Sequence, residues 1–121
     1  MAVETAMDTV VIVDVVKGVH TGWPRIESDT HLVSTGSTKP LEDAFRIAHA
    51  DLTAWVGAEL GLSPMDAYQL VTQIAESPVA NVVDTVYTMT AKVAKQYLPG
   101  VSTYGGIHGR LRDQATHLGP A

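Results

Sequence analysis

Histidines at positions 20, 31, 49, 108 and 117 are the side chains best suited to move a proton or bind a metal near neutral pH. No two of them stand in an H-x-x-x-H or H-E-x-x-H spacing, which would place both imidazoles on one side of a helix, so no local metal site is written in the sequence. His20 and His31 flank a loop around Trp23-Pro24 that also holds Glu27 and Asp29, and there imidazole and carboxylate groups could converge. His49 follows Phe45 by four residues and borders an apolar stripe, the position of a half-buried structural histidine. His108 and His117 fall in a glycine-rich tail and read as solvated. Among the hydroxyls, Ser28, Ser34, Ser37, Ser63, Ser77 and Ser102 lie in no G-x-S-x-G elbow or S-x-x-K pair that would activate a nucleophile. The glycines form no phosphate-cradling G-x-G-x-x-G or G-x-x-x-x-G-K sequence. With no cysteine there is no disulfide, thiolate nucleophile or Cys-type zinc site, so a bound metal would rest on His, Asp, Glu or backbone oxygen.

These groups must be positioned by elements that the apolar spacing outlines. Residues 9–17 (TVVIVDVVK) form a β-branched run with apolar side chains on both faces, a strand that needs cover on both sides and a partner for Asp14. Residues 18–29 are rich in turn formers and read as a long loop, and residues 31–35 as a short strand ending at Gly36. From 40 to 60, Leu41, Phe45, Ala48, Leu52, Trp55 and Val56 step by three and four and predict a helix. Glu42 and Asp43 lie in its first turn, and Gly61 is placed as a left-handed C-cap. Ser63 then caps a second helix with Pro64 in its first turn, Asp66 reaching back to the cap's backbone, and a stripe of Ala67, Leu70, Val71 and Ile74 that stops at Ser77-Pro78. So short a link makes the two helices an antiparallel hairpin. Strands follow at 79–83 and, by period-two alternation, at 86–93. The order β-β-α-α-β-β predicts an α+β domain, a mostly antiparallel sheet with a helical hairpin on one face. Residues 100–121 read as a flexible Gly-rich tail.

The 121 residues suffice for one domain, and 45% hydrophobic with 17% charged residues is a globular balance. A formal net charge of −5 lacks the basic footprint of a nucleic-acid binder or an anionic-membrane binder. The opening residues 1–8 carry two acids and no Lys or Arg, unlike a secretory signal, and the longest apolar stretch, 10–16, is far short of the roughly 20 residues that cross a bilayer. The sequence reads as cytoplasmic and without a membrane span.

Taken together, several segments carry a resemblance. Val3-Glu4-Thr5-Ala6-Met7 before the Val-rich run, Trp23-Pro24-Arg25-Ile26-Glu27, and Thr30-His31 leading to Ser34-Thr35-Gly36 stand in order. They are followed by Asp43-Ala44-Phe45-Arg46-Ile47-Ala48, by Leu60-Gly61-Leu62-Ser63-Pro64-Met65-Asp66-Ala67-Tyr68, and by the stretch from Val82-Val83-Asp84 to Tyr97-Leu98-Pro99. Over residues 3–99 this series resembles the C-terminal part of the acetamidase/formamidase family. The resemblance implies an incomplete portion of a larger β-rich amidase fold and an enzyme that hydrolyses short linear amides, formamide or acetamide, to carboxylate and ammonia. It implies that the H-x-x-x-G-D-G-E type segment associated with the family's active site lies upstream of the matched portion, so that activity needs the missing N-terminal part. Residues 73–80 (QIAESPVA) depart from the family's small-residue turn containing Asp.

Carried over residue by residue, Glu4 matches the family's glutamate and would line the amide site or orient a metal-bound water. His31 becomes the proton-transfer or ligand candidate, and Gly36 a substrate-binding position on the strand leading out of the loop. A divalent metal such as Zn is implied for the intact family site. Implied partners are a small amide substrate and either further copies of the chain or the missing N-terminal part. The alternatives are an inactive truncated remnant and a small oligomeric binding module.

Overall fold

Strand β2 (His31–Thr38) alternates strictly: Leu32, Ser34 and Gly36 are buried while His31, Val33, Thr35 and Ser37 are half-exposed. Strand β4 (Tyr87–Ala94) repeats the pattern with Met89, Ala91 and Val93 inward. The two pair antiparallel, and their register sets Leu32 opposite Val93, Ser34 opposite Ala91 and Gly36 opposite Met89, so one face of the sheet is continuous core. Strand β1 (Arg25–Glu27) adds to the free side of β2, and β3 (Val79–Asn81) to the free side of β4 through a bulge, giving the order β1-β2-β4-β3. The computed structural model describes residues 5–118. They divide into one compact unit, Thr21–Val101, which holds all of these strands, and a second formed by the segments up to His20 and from Ser102 onward.

Helix α1 (Leu41–Leu60) lays Ala44, Ala48, Leu52, Trp55 and Val56 into the core, and its C-terminus is closed by Gly61 at φ +63°, whose N–H reaches the carbonyl of Gly57. The stripe differs from the predicted one at its start: Ala44 is buried and Phe45 is 40% exposed. Gly36 explains the shift. A Cβ built there would stand 2.4 Å from the Ala44 carbonyl oxygen, 2.8 Å from the Ala48 nitrogen and 2.9 Å from the Ile47 Cβ, so helix and strand backbones are nearly in contact. Helix α2 (Pro64–Ile74) starts at Ser63, whose hydroxyl oxygen accepts from the Asp66 N–H at 3.2 Å. The Ser63 hydroxyl in turn donates to the Asp66 carboxylate at 2.7 Å, which does not reach the cap's backbone. Ala67 and Val71 are its buried positions. Complete burial of Leu32, Leu52, Val56, Val71 and Val93 stabilises this unit by about 1.5–3 kcal/mol per side chain.

The element order matches the predicted β-β-α-α-β-β, but its first strand lies elsewhere. Residues 9–17 form no strand, and Val10, Val11, Val13 and Val15 are 64–84% exposed. β1 sits instead inside the stretch expected to be loop. It carries no apolar alternation because its charges point inward: Arg25 and Glu27 are held by ion pairs while Ile26 is 51% exposed. In the second unit, the stretch expected to be a glycine-rich tail carries helix α3 (Ile107–Thr116), which begins after Gly106 at φ +76°. None of its residues is buried, so it has no apolar stripe to announce it. Among the described residues, no helix is long and apolar enough to cross a membrane.

Candidate functional site

His31 opens β2 on a tight turn. Ser28 builds that turn: its N–H donates to the His31 carbonyl at 2.9 Å, and its hydroxyl oxygen accepts from the N–H groups of His31 at 2.9 Å and Thr30 at 3.3 Å. The ring is half-buried, with Nδ1 2.8 Å from the Thr30 hydroxyl. When Nδ1 carries the proton and donates it to Thr30, Nε2 presents its lone pair, the atom able to accept a proton. Next to the turn, Lys95 donates to the Glu27 carboxylate at 2.7 Å, and its backbone N–H donates to the Thr30 carbonyl at 2.8 Å. The Glu27 side chain is 13% exposed. Glu27 is therefore ion-paired with a lysine.

The other candidates fall differently. Glu4 lies outside the described residues. Gly36 is buried beneath α1, where the missing side chain serves the helix–sheet contact. His20 belongs to the other unit. Among the described residues, no group of three or more His, Asp or Glu side chains is arranged to hold a metal ion. The divalent metal implied by the resemblance finds no ligand set in them.

Sequence reasoning missed the best-ordered polar cluster. Arg25 grips Asp51 with two parallel bonds, Nε to Oδ2 and Nη2 to Oδ1, both 2.8 Å, and its guanidinium lies 4.8 Å from the Trp55 ring centroid. The fully buried Ser34 hydroxyl donates to Asp51 Oδ2 at 2.5 Å. Burial pushes the Asp51 carboxyl up, but the Arg25 and Ser34 hydrogen bonds and the Arg25 charge outweigh it, and the group stays below its ordinary value of 3.8. A signal existed: Asp51 lies three residues after Ala48 and four before Trp55, a carboxylate on the buried side of an apolar stripe. With every Asp51 oxygen engaged by this fork and hydroxyl, the cluster fixes β1, β2 and α1 to one another, and through β1 it fixes the turn that carries His31.

Between α1 and α2 runs an apolar groove of about 980 Å³, lined among others by Phe45, His49, Ala54, Gly57, Tyr68 and Val71. His49 stacks on Phe45 with ring centroids 4.2 Å apart, and its Nε2 is 2.6 Å from the Ser77 hydroxyl. Burial holds its pKa below the ordinary 6.5. Its neutral imidazole is a structural group, as its spacing predicts.

No family model and no curated protein matches the chain. Two solved structures do. The acetamidase from Yersinia enterocolitica is 41% identical over 68% of this chain, which covers 25% of that protein, with a TM-score of 0.65. The solved structures this chain matches are members of the acetamidase/formamidase family. The acetamidase from Bacillus halodurans, at 21% identity and a TM-score of 0.60 over 66% of this chain and 27% of its own, shares the fold. The chain thus spans about a quarter of the length of the acetamidases it matches, consistent with a partial, C-terminal region of the family. The four-stranded antiparallel sheet and its helices are the acetamidase-like α+β arrangement.

Proposed function

We propose that this chain supplies the C-terminal part of an amidase that hydrolyses short linear amides, formamide or acetamide, to carboxylate and ammonia. The observation that carries this reading is the 41% identity to an acetamidase over a region folded into the same sheet and helices. Amide hydrolysis needs an attacking water, stabilisation of the oxyanion and a proton for the departing amine. In this reading His31 Nε2 takes a proton from the attacking water and delivers it to the departing amine, its ring being oriented through Nδ1 by Thr30. Glu4 orients the water. Gly36, the proposed substrate-side position, seats β2 against α1 and so sets where His31 stands. The remaining donors to the oxyanion come from the part of an acetamidase that lies outside the matched quarter.

The test is ammonia release from formamide and acetamide by this chain, alone and joined to the remainder of the Yersinia acetamidase in place of its own matched region. Turnover by the joined protein that disappears in His31→Ala and Glu4→Gln supports the reading. A folded joined protein that releases no ammonia removes it and leaves an inactive remnant or a binding module.

A further inference from the structure

Residues 9–17 have the sequence of a central strand and the surroundings of none. Val11, Val13 and Val15 share one face and Val10, Ile12 and Val16 the other. A strand so built is stable only between two apolar layers. Here the face of Val11, Val13 and Val15 is uncovered, with Val13 84% exposed, while Ile12 and Val16 on the other face are half-buried. Its backbone is diverted locally: the Val15 N–H, which a sheet ladder would use, donates to Asp14 Oδ1 at 2.7 Å, and Arg110 holds the other Asp14 oxygen at 2.7 Å.

We propose that residues 9–17 are a docking strand whose partner is the part of an acetamidase-type fold outside the quarter matched by this chain. On docking, the run becomes an interior strand, Val15 N–H passes from Asp14 to a neighbouring strand, and both valine faces are covered. Length supports this occupant, since about three quarters of each solved acetamidase lies beyond the match and is available to supply two apolar layers. A second copy of the chain fits poorly. Each copy carries a net charge of −5, and self-pairing of the two runs would bring together strands that each hold an acid at Asp14. The inference rests on the proposed amidase reading for the identity of the partner.

The experiment co-expresses the full 121-residue chain with the tagged remainder of the Yersinia acetamidase and follows amide hydrogen exchange at residues 10–16. Expected are a 1:1 complex and exchange at these amides slowed by about two orders of magnitude relative to the chain alone. A Val11→Asp/Val13→Asp chain should lose the complex while the unit 21–101 melts unchanged. Failure of the unsubstituted chain to form a complex overturns the inference, as does equal binding by the substituted chain. Protection of residues 10–16 in the chain alone, within a homodimer, overturns it in favour of a second copy. Ammonia release is scored separately: a protected strand in a complex without turnover keeps the inference and defeats the amidase reading, whereas turnover with residues 10–16 still exchanging freely does the reverse.

Discussion

Asp51 on α1 and Arg25 on β1, 26 positions apart in the chain, meet in a two-point ion pair at 2.8 Å whose side chains are only 12% and 15% exposed. Asp51→Asn removes the Asp51 charge from a guanidinium that is only 15% exposed and should lower stability by about 2–3 kcal/mol in urea unfolding at pH 7. Ser34→Ala removes one hydrogen bond to the same oxygen and should cost about 1 kcal/mol. Because the folded Asp51 is held below 3.8, the pair's contribution is present in full above that pH and is lost as the pH falls through the folded value. The gap between the native chain and Asp51→Asn should therefore close in strong acid. A gap that persists there would assign the loss to packing instead.

Gly36→Ala and Gly57→Ala form a matched pair. At Gly36 the new methyl meets the backbone of α1 at 2.4 and 2.8 Å, atoms that cannot move aside without shifting the helix, and a loss of about 3 kcal/mol or more is expected. At Gly57 its one tight contact is the Ala67 methyl at 3.0 Å, and the better helix propensity of alanine, about 1 kcal/mol, offsets the crowding. Thermal melts should show a large fall in Tm for the first and little change for the second.

His49 predicts a pH effect of definite sign. Its folded pKa is lowered by burial, so the unfolded chain takes up the proton first as pH drops below 6.5, and stability falls with it. Tm should decline between pH 7.5 and 5.5. In His49→Gln, which can still hydrogen-bond Ser77, that decline should be flattened; an unchanged slope would place the titration elsewhere.

Ser63→Ala should cost about 1 kcal/mol, since the Asp66 N–H loses its acceptor and the Asp66 carboxylate its donor. Denaturant midpoints of the two chains measure it directly.

Helices α1 and α2 were legible because their evidence is local. A 3.6-residue stripe, Ser63 as a cap and Gly61 as a stop lie within one turn of what they govern, and α1, α2 and the alternating β4 follow the spacing closely. Residues 9–17 were misread because β-branching reports what a segment can do, whereas a strand forms only when distant parts of a fold cover it, and that information lies outside the segment. β1 failed for the opposite reason: Arg25 and Glu27 look like solvent-facing charges until Asp51 and Lys95 arrive from far along the chain. At the candidate site the sequence offered His31 but not the Ser28 turn that aims it, nor the Asp51 cluster that steadies the turn.

The central ladder has a kinetic meaning. β2 and β4 are neighbours in the sheet, yet the chain between Thr38 and Tyr87 holds both long helices and β3. α1 and α2 can form from local contacts on a fast timescale, whereas closure of the ladder requires two ends of a long loop to find each other. On this topology the helical pair is expected to act as a folded spacer that shortens the search, with the meeting of β2 and β4 across it as the slow step. Loosening α1 against α2 would slow refolding even where the finished sheet is untouched.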